Sequence, residues 1–427
     1  MTNNYVVESM KKLLNLTVGL VFVAAIRLHA EPLEIWISSF QDKVYYEEIV
    51  KLYQSSVDKD FKANIHAFGF REMPDKLAVA IKTKANPPDI VQLDEVLFGT
   101  YLAGEVPFVE LSERVKKAGL DKEISPQRLP LFGYKGKIYG LPQSLSAMVL
   151  YYRKDLFEEL EIAPDDISTW DSFLYHGKRL IDKGQSMIAL DPTYFEILLR
   201  QRGSDLFDED GNVFPDEEIA ADTLRWLRDV NQDAIGILPD RASIFDPVFF
   251  NSAVSSGEIL CIIGADWYGL DMLQQFTPEL EGKWGAMPLP AWIKKDGNLS
   301  SRTSTFAGQG LLIYKESPQI DKSWDFVRFV MTDKEANVRR FVGGNSFPAH
   351  MPSWKDERLL ERNEFFGNQR FGQLFVDLAP SLPKVVMNPK RPAAVFLFQE
   401  SFFSSLMYGQ ITPEEVIKQM RSTLEKQ

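Results

Sequence analysis

Between Leu33 and Glu95 the chain alternates short apolar runs with longer segments of helical spacing. That rhythm restricts the fold more than any other feature. "LEIWISSF" reads as a strand that ends in small polar residues. "YYEEIVKLYQSSV" follows with Ile49, Leu52 and Tyr53 at i, i+3 and i+4, the spacing of one helix face. "KANIHAFGF" is a second strand, "MPDKLAVAIKTKAN" a second helix, and "PPDIVQLDE" a third strand entered through Pro87-Pro88. A β-α-β-α-β order predicts an α/β fold, with a parallel sheet and helices on both faces. Ligands of such sheets sit beyond the carboxyl ends of the strands. Ser38, Ser39 and Gln41 follow the first strand, and Asp94 and Glu95 close the third. These five are candidate ligand contacts. The plainer role of the first three is helix entry.

With 427 residues the chain exceeds what one core usually takes, since cores stop growing near about 250–300 residues, so two domains are expected. "YGLPQSLSAMVLYY" has the features of a strand that leaves one sheet, passes Pro142 and enters another. A second α/β segment follows it. "STWDSFLYHGKRLIDKG" predicts a helix with Ser168 and Asp171 as its capping pair and Gly184 as its stop. "ILCIIGADWYG" predicts a strand that ends at Asp266-Trp267. "WGAMPLPAW" and "TFAGQGLLIYKES" read as two more strands. The tail is helical. Ser317-Pro318 begins one helix, Thr332 to Glu335 caps the next, and Thr412-Pro413-Glu414-Glu415 combines an N-cap, a first-turn proline and a capping box.

A net charge of −12 argues against nucleic acid and against anionic membrane surfaces, both of which attract basic patches. Residues 1–30 have the pattern of an export signal: Lys11-Lys12, then an apolar run to Ile26, then a small residue at Ala30. Export to the periplasm and a mature start at Glu31 are the expectation. Cys261 is the single cysteine and lies in an apolar strand, so neither a disulfide nor a lipid at the mature N-terminus is expected.

The export signal, "PPDIVQLDE", "YKGKIYGLPQSLSAMVLYYRKDLFEE", "GADWYG", "WGAMPLP", "GQGLLIYKESPQIDKSWDFVRFVMTDKEA" and "GNSFPAH" stand in an order that resembles the sugar-binding, maltose-binding-protein-like class of extracellular solute-binding proteins serving ABC importers. The resemblance covers nearly all of the mature chain. It implies two discontinuous α/β lobes with a ligand cleft between them: 31–146 and 288–333 in the N-terminal lobe, 147–287 and 334–427 in the C-terminal lobe. Hinge crossings are then expected near Leu145–Ala147, Pro288–Pro290 and Met331–Asp333. The implied partners are a carbohydrate and the transmembrane subunits of an importer, the implied state is a monomer, and no cofactor or metal is called for.

Sugars offer hydroxyls that donate and accept, and apolar C–H faces, so a site needs aromatic platforms beside carboxylates and amides. Trp267 matches a stacking position of the family, with core burial as the alternative; Asp266 beside it offers a carboxylate or a helix cap. Phe396 stands where the family often has a stacking aromatic, although a core role suits a phenylalanine better. Asp191 and Tyr194 match an acidic-Pro-aromatic neighbourhood with the aromatic one place late. Gln309 and Asn345 lie on glycine-flanked loops, where turn formation is the alternative for Asn345. Arg391 suits an acidic sugar, or merely the surface.

Neither G-x-S-x-G nor H-E-x-x-H occurs, and His29, His66, His176 and His350 show no metal-ligand spacing, so an enzyme is not expected. An exported glycan-active enzyme remains the alternative, since 60 acidic residues supply carboxylate pairs by chance. So does a binding protein for a sugar phosphate, a polyamine or iron.

Overall fold

The computed structural model describes residues 31–70, 72–239 and 243–426. The expected export signal at 1–30 lies outside them. Among the described residues, twelve strands form two five-stranded sheets and a small hairpin. The first sheet contains β1 (Leu33–Ile37), β2 (Ala63–Ala67), β3 (Ile90–Asp94), β6 (Gly140–Pro142) and β12 (Gln309–Ile313), in the order β2-β1-β3-β12-β6. Between β3 and β6, the hairpin of β4 (Gly133–Tyr134) and β5 (Lys137–Ile138) turns at Lys135-Gly136. The second sheet holds β7 (Met148–Arg153), β8 (Ser186–Ala189), β9 (Gly236–Ile237), β10 (Ile259–Ala265) and β11 (Trp284–Pro288), in the order β11-β7-β10-β8-β9.

The parallel core expected from the opening rhythm is present, because β1 pairs in parallel with both β2 and β3. The sheet as a whole is mixed, however: β12 runs antiparallel to both β3 and β6. The short opening segment could not show this, because β12 arrives from far along the chain.

Side-chain alternation divides the first lobe into two apolar layers. Ile90, Leu311 and Ile313 face helix Asp42–Ser56 and helix Ile320–Thr332, while Val91, Leu93 and Leu312 face helix Met73–Thr83 and Phe132. Gln92 therefore shares a face with Ile90, toward helix Asp42–Ser56. The second lobe has one continuous core around β7, β8 and β10, with Cys261 fully buried in it.

Two extended segments carry the chain between sheets. Residues 143–147 lead from β6 to β7, at the expected place. The return runs through 303–308, later in the chain than the Pro288–Pro290 position read from the sequence. Residues 289–302 stay on the second lobe, tied by Leu289 N–H to Arg302 O at 2.7 Å and Trp170 N–H to Ala291 O at 3.0 Å. The two crossings run side by side, bridging at Ala147 and Thr305. Each contains a left-handed residue, Ser146 at φ 49° and Ala307 at φ 54°, and Gly308 has φ 120°. The third passage is a helix: Ala336 on Lys334–Val342 packs in the first lobe, while Val338 and Phe341 pack in the second.

Two caps differ from expectation by one residue. Thr169 and Ser172, not Ser168 and Asp171, form the box of helix Trp170–Lys178. Asp333, not Thr332, caps Lys334–Val342. The Thr412/Glu415 box forms as read.

Candidate functional site

Polar side chains converge where the first sheet's strands end against helix Asp42–Ser56. Gln92 is the centre. It is fully buried, and its amide nitrogen donates to Asp42 Oδ2 and to Gln309 Oε1 (2.7 Å). Its carbonyl oxygen accepts the Ser38 N–H at 3.1 Å. Gln309 Nε2 reaches Ser38 Oγ at 3.4 Å, and Tyr46 donates its hydroxyl to Gln143 Oε1 at 2.7 Å. Ser39 Oγ accepts the Asp42 N–H at 3.3 Å, while Gln41 is exposed and makes no cap bond. Burying this many polar groups is tolerable only because they satisfy one another.

Asp42 is the negative group of this cluster. Its Oδ1 accepts from the side-chain amide of Asn345. The nearby cation is Arg340, fully buried, with its guanidinium 4.1 Å from the Tyr45 ring centre and 5.9 Å from that of Tyr46. None of the Arg340 guanidinium nitrogens has a hydrogen-bond partner, so its stabilisation comes from the ring faces and the Asp42 charge.

The opposing wall comes from the end of β10. Trp267 is half-buried and stacks on Phe245 with centroids 6.1 Å apart and planes 24° from parallel. The glycines beside it serve packing. A Cβ on Gly264 would stand 2.8 Å from the Tyr268 ring, and one on Gly269 2.6 Å from Tyr151 Oη, so both serve the packing of the strand-to-helix turn. Asp266 is fully buried. Its Oδ2 accepts the Phe347 N–H at 2.5 Å, Oδ1 has no partner, and burial pushes its carboxyl up to about 7. Four residues beyond Trp267, Asp271 is partly exposed. Its carboxyl is raised to about 6, by burial first and then by the charge of Asp42. The turn Asn345–Phe347 thus joins the two walls: Asn345 holds Asp42, and Phe347 holds Asp266.

Other candidates from the sequence lie deeper. Asp94 caps Val96 N–H at 3.1 Å. Glu95 and Arg391 belong to a buried ionic cluster at the lobe junction with Glu196, Arg200 and Asp205. Arg391 is fully buried, its nitrogens directed at Glu95, Glu196 and Asp205, so it neither reaches the surface nor faces a ligand. Its Nε lies 3.3 Å from Glu95 Oε2 without the alignment of a hydrogen bond. Arg200 Nη1 donates to Thr305 O at 2.7 Å. Arg128 donates to Thr305 Oγ1 at 2.6 Å, Ala307 O at 3.0 Å and Ser144 O at 3.2 Å, gripping both crossings. Burial raises Asp94 to about 7, with Glu95 adding to it, and raises Glu196 to about 8.

Asp191 and Tyr194 sit apart from both clusters. Asp191 closes a turn with Thr193 and Ser243. Tyr194 is fully buried, with its hydroxyl accepting the Ile263 N–H at 3.1 Å, which makes it a core residue. Phe396 is half-buried on helix Arg391–Leu397.

Asp42, Tyr46, Gln92, Gln143, Arg340 and Asp271 were not singled out from the sequence. One signal was available: Gln92 is a lone amide within the apolar run "DIVQLD", and a polar side chain on a strand buried on both faces needs partners. Among the described residues no group of three or more His, Cys, Asp or Glu is arranged to hold a metal, and no helix is long and apolar enough to cross a membrane.

Two α/β lobes, joined by paired crossings and presenting strand ends to each other, define a solute-binding architecture. The chain belongs to the bacterial extracellular solute-binding protein family, whose model matches residues 38–337. It is similar to the arabinooligosaccharide-binding protein of Halalkalibacterium halodurans, with 24% identity over 93% of this chain and 89% of that one. The arabinooligosaccharide-binding protein of Bacillus subtilis is likewise 24% identical, over 92% of each. Among solved structures, an ABC transporter solute-binding protein from Thermotoga lettingae bound with α-D-tagatose superimposes with a TM-score of 0.75 at 19% identity, covering 93% of this chain and 99% of that one.

Proposed function

We infer that the chain is the substrate-binding component of an ABC sugar importer, which captures an oligosaccharide between its lobes and delivers it unchanged to the membrane-spanning subunits. One observation carries this: the Asp42–Gln92–Gln309 cluster of one lobe stands across the Asn345–Phe347 turn from Trp267 of the other. Carboxylate and amide groups suit sugar hydroxyls, and an indole face suits C–H surfaces. The two arabinooligosaccharide-binding relatives support a pentose oligosaccharide as the ligand class.

The residues that contact ligand in this proposal are Asp42, Ser38, Ser39, Gln41, Gln309, Asn345, Asp271, Trp267 and, from helix Arg391–Leu397, Phe396. Asp266 is a positioning residue, because it holds the turn behind Trp267. Asp94 and Glu95 act at the hinge. The lobes divide at 143–147, at 303–308 and within helix Lys334–Val342, and they close by dihedral change in the two extended crossings. Residues 1–30 direct export and are removed in its course, and the mature protein works as a monomer without a lipid.

A thermal-shift screen of residues 31–427 against arabino-, galacto-, malto- and xylo-oligosaccharides tests this. A ligand present at 100 times its Kd adds about 2.7 kcal/mol to stability. A shift with one neutral class, with the sugar recovered intact, is the expected result. No shift with any sugar, or turnover of the bound one, refutes it.

A further inference from the structure

Among the described residues only two phenylalanines are exposed, Phe40 at 66% and Phe70 at 40%. Phe40 takes part in no ring pair and in neither layer of its lobe's core, unlike its neighbour Trp36, which packs against Phe68 at 4.9 Å. Its place in the chain gives this exposure a meaning. Phe40 lies midway between Ser38 and Asp42, both of which send their side chains into the Gln92 cluster. The turn is closed by the Lys43 N–H donating to Phe40 O at 3.3 Å. A large apolar ring is thus held in solvent at the rim of the polar cluster, on the lobe opposite Trp267.

Burying a phenylalanine side chain is favourable, and the folded chain forgoes much of that gain at Phe40. Polar groups at the strand ends grip hydroxyls but offer nothing to an apolar ring face. Leu93, in the third strand, is fully buried and cannot serve. The charges near the cluster narrow the ligand further. Asp271 is partly exposed beside Trp267, whereas Asp42, Arg128, Arg200, Arg340 and Arg391 are each 2% exposed or less. Of these charged groups the gap therefore presents the Asp271 carboxyl and no guanidinium, which disfavours an acidic sugar.

We propose that Phe40 is the first lobe's carbohydrate platform, stacking on an uncharged sugar unit whose hydroxyls Asp42 binds, opposite the Trp267 platform of the second lobe. This rests on the sugar-binding function inferred above. Closure then covers both rings.

Calorimetric titration of wild-type, Phe40→Ala, Phe40→Leu and Phe40→Tyr proteins with neutral arabino- and galacto-oligosaccharides tests the proposal. Phe40→Ala should weaken binding about tenfold or more, Phe40→Leu nearly as much, and Phe40→Tyr less than threefold, with ligand-free melting unchanged in all three because the ring supports no core. Wild-type affinity retained in Phe40→Ala overturns the platform and leaves sugar binding intact. Equal affinity for an oligogalacturonide overturns the uncharged class. Failure of the wild-type protein to bind any sugar overturns the underlying function and this inference with it.

Discussion

Gln92 illustrates how one side chain can be both structural and functional. It ties β3, helix Asp42–Ser56 and β12 together and orients Asp42. Replacing Gln92 with Leu leaves the Ser38 N–H and one Asp42 oxygen without partners in a buried place, which should cost about 2–4 kcal/mol in ligand-free stability, read by chemical denaturation. Trp267 should behave in the opposite way. Trp267→Ala removes a half-exposed ring, so melting of the ligand-free protein should change little, while sugar affinity falls by about 1–3 kcal/mol in a titration. A large loss of stability with intact affinity would make Trp267 a core residue. At this scale the sequence was only partly legible. Trp267, Ser38, Gln309 and Asn345 announce themselves at strand ends and glycine-flanked loops. Asp42 looks like any first-turn acidic residue, because its partners Gln92 and Asn345 are distant in the chain. Arg391 misleads for the same reason: its acidic partners Glu95 and Glu196 lie hundreds of residues earlier.

The informative elements are the two crossings. Residues 143–147 were legible because proline and serine interrupt an apolar run between two strand-like halves. The return at 303–308 was not, since the prolines at 288 and 290 mark the end of β11 and not the change of lobe. Gly308 is the sharpest point of this element. It has φ 120°, and a Cβ there would stand 2.2 Å from Arg128 Nη2. Gly308→Ala should therefore lower stability by about 1–3 kcal/mol, since both the backbone conformation and the arginine grip are disturbed. Unchanged denaturant midpoints would show that the hinge tolerates a methyl there. The crossings also predict motion. Small-angle scattering should show a smaller radius of gyration once the sugar is bound, whereas an unchanged radius at saturation would mean a rigid preformed pocket.

At the scale of the molecule, buried carboxyls give stability a definite pH dependence. Asp94 and Asp266 are raised to about 7, Glu196 to about 8 and Asp271 to about 6, each chiefly by burial. All four lie above their ordinary values near 4, so the folded state holds protons that the unfolded state has released. Their contribution is complete below about pH 4 and is lost as pH rises through 6 to 8. His176 and His350, lowered by burial, act in the opposite sense but are outnumbered. The ligand-free protein should melt at a higher temperature at pH 5.5 than at pH 8.5, as scanning calorimetry would register; the reverse order would mean that these carboxyls stay ionised. The two-lobe plan was legible because it needs only the alternation of elements and the change of sheet. The ionic junction that unites the lobes was not, because it brings together residues from three separate stretches of chain.

The central claim is that a sugar is held by both lobes at once, by Asp42 from one side and Trp267 from the other. Calorimetric titration of wild-type, Asp42→Ala and Trp267→Ala proteins with the sugar found in the screen tests it most directly. The expected result is one site per wild-type chain, affinity lowered at least tenfold in each variant, and unchanged sugar recovered afterwards. Full affinity in both folded variants would contradict the claim and move the site away from this cleft.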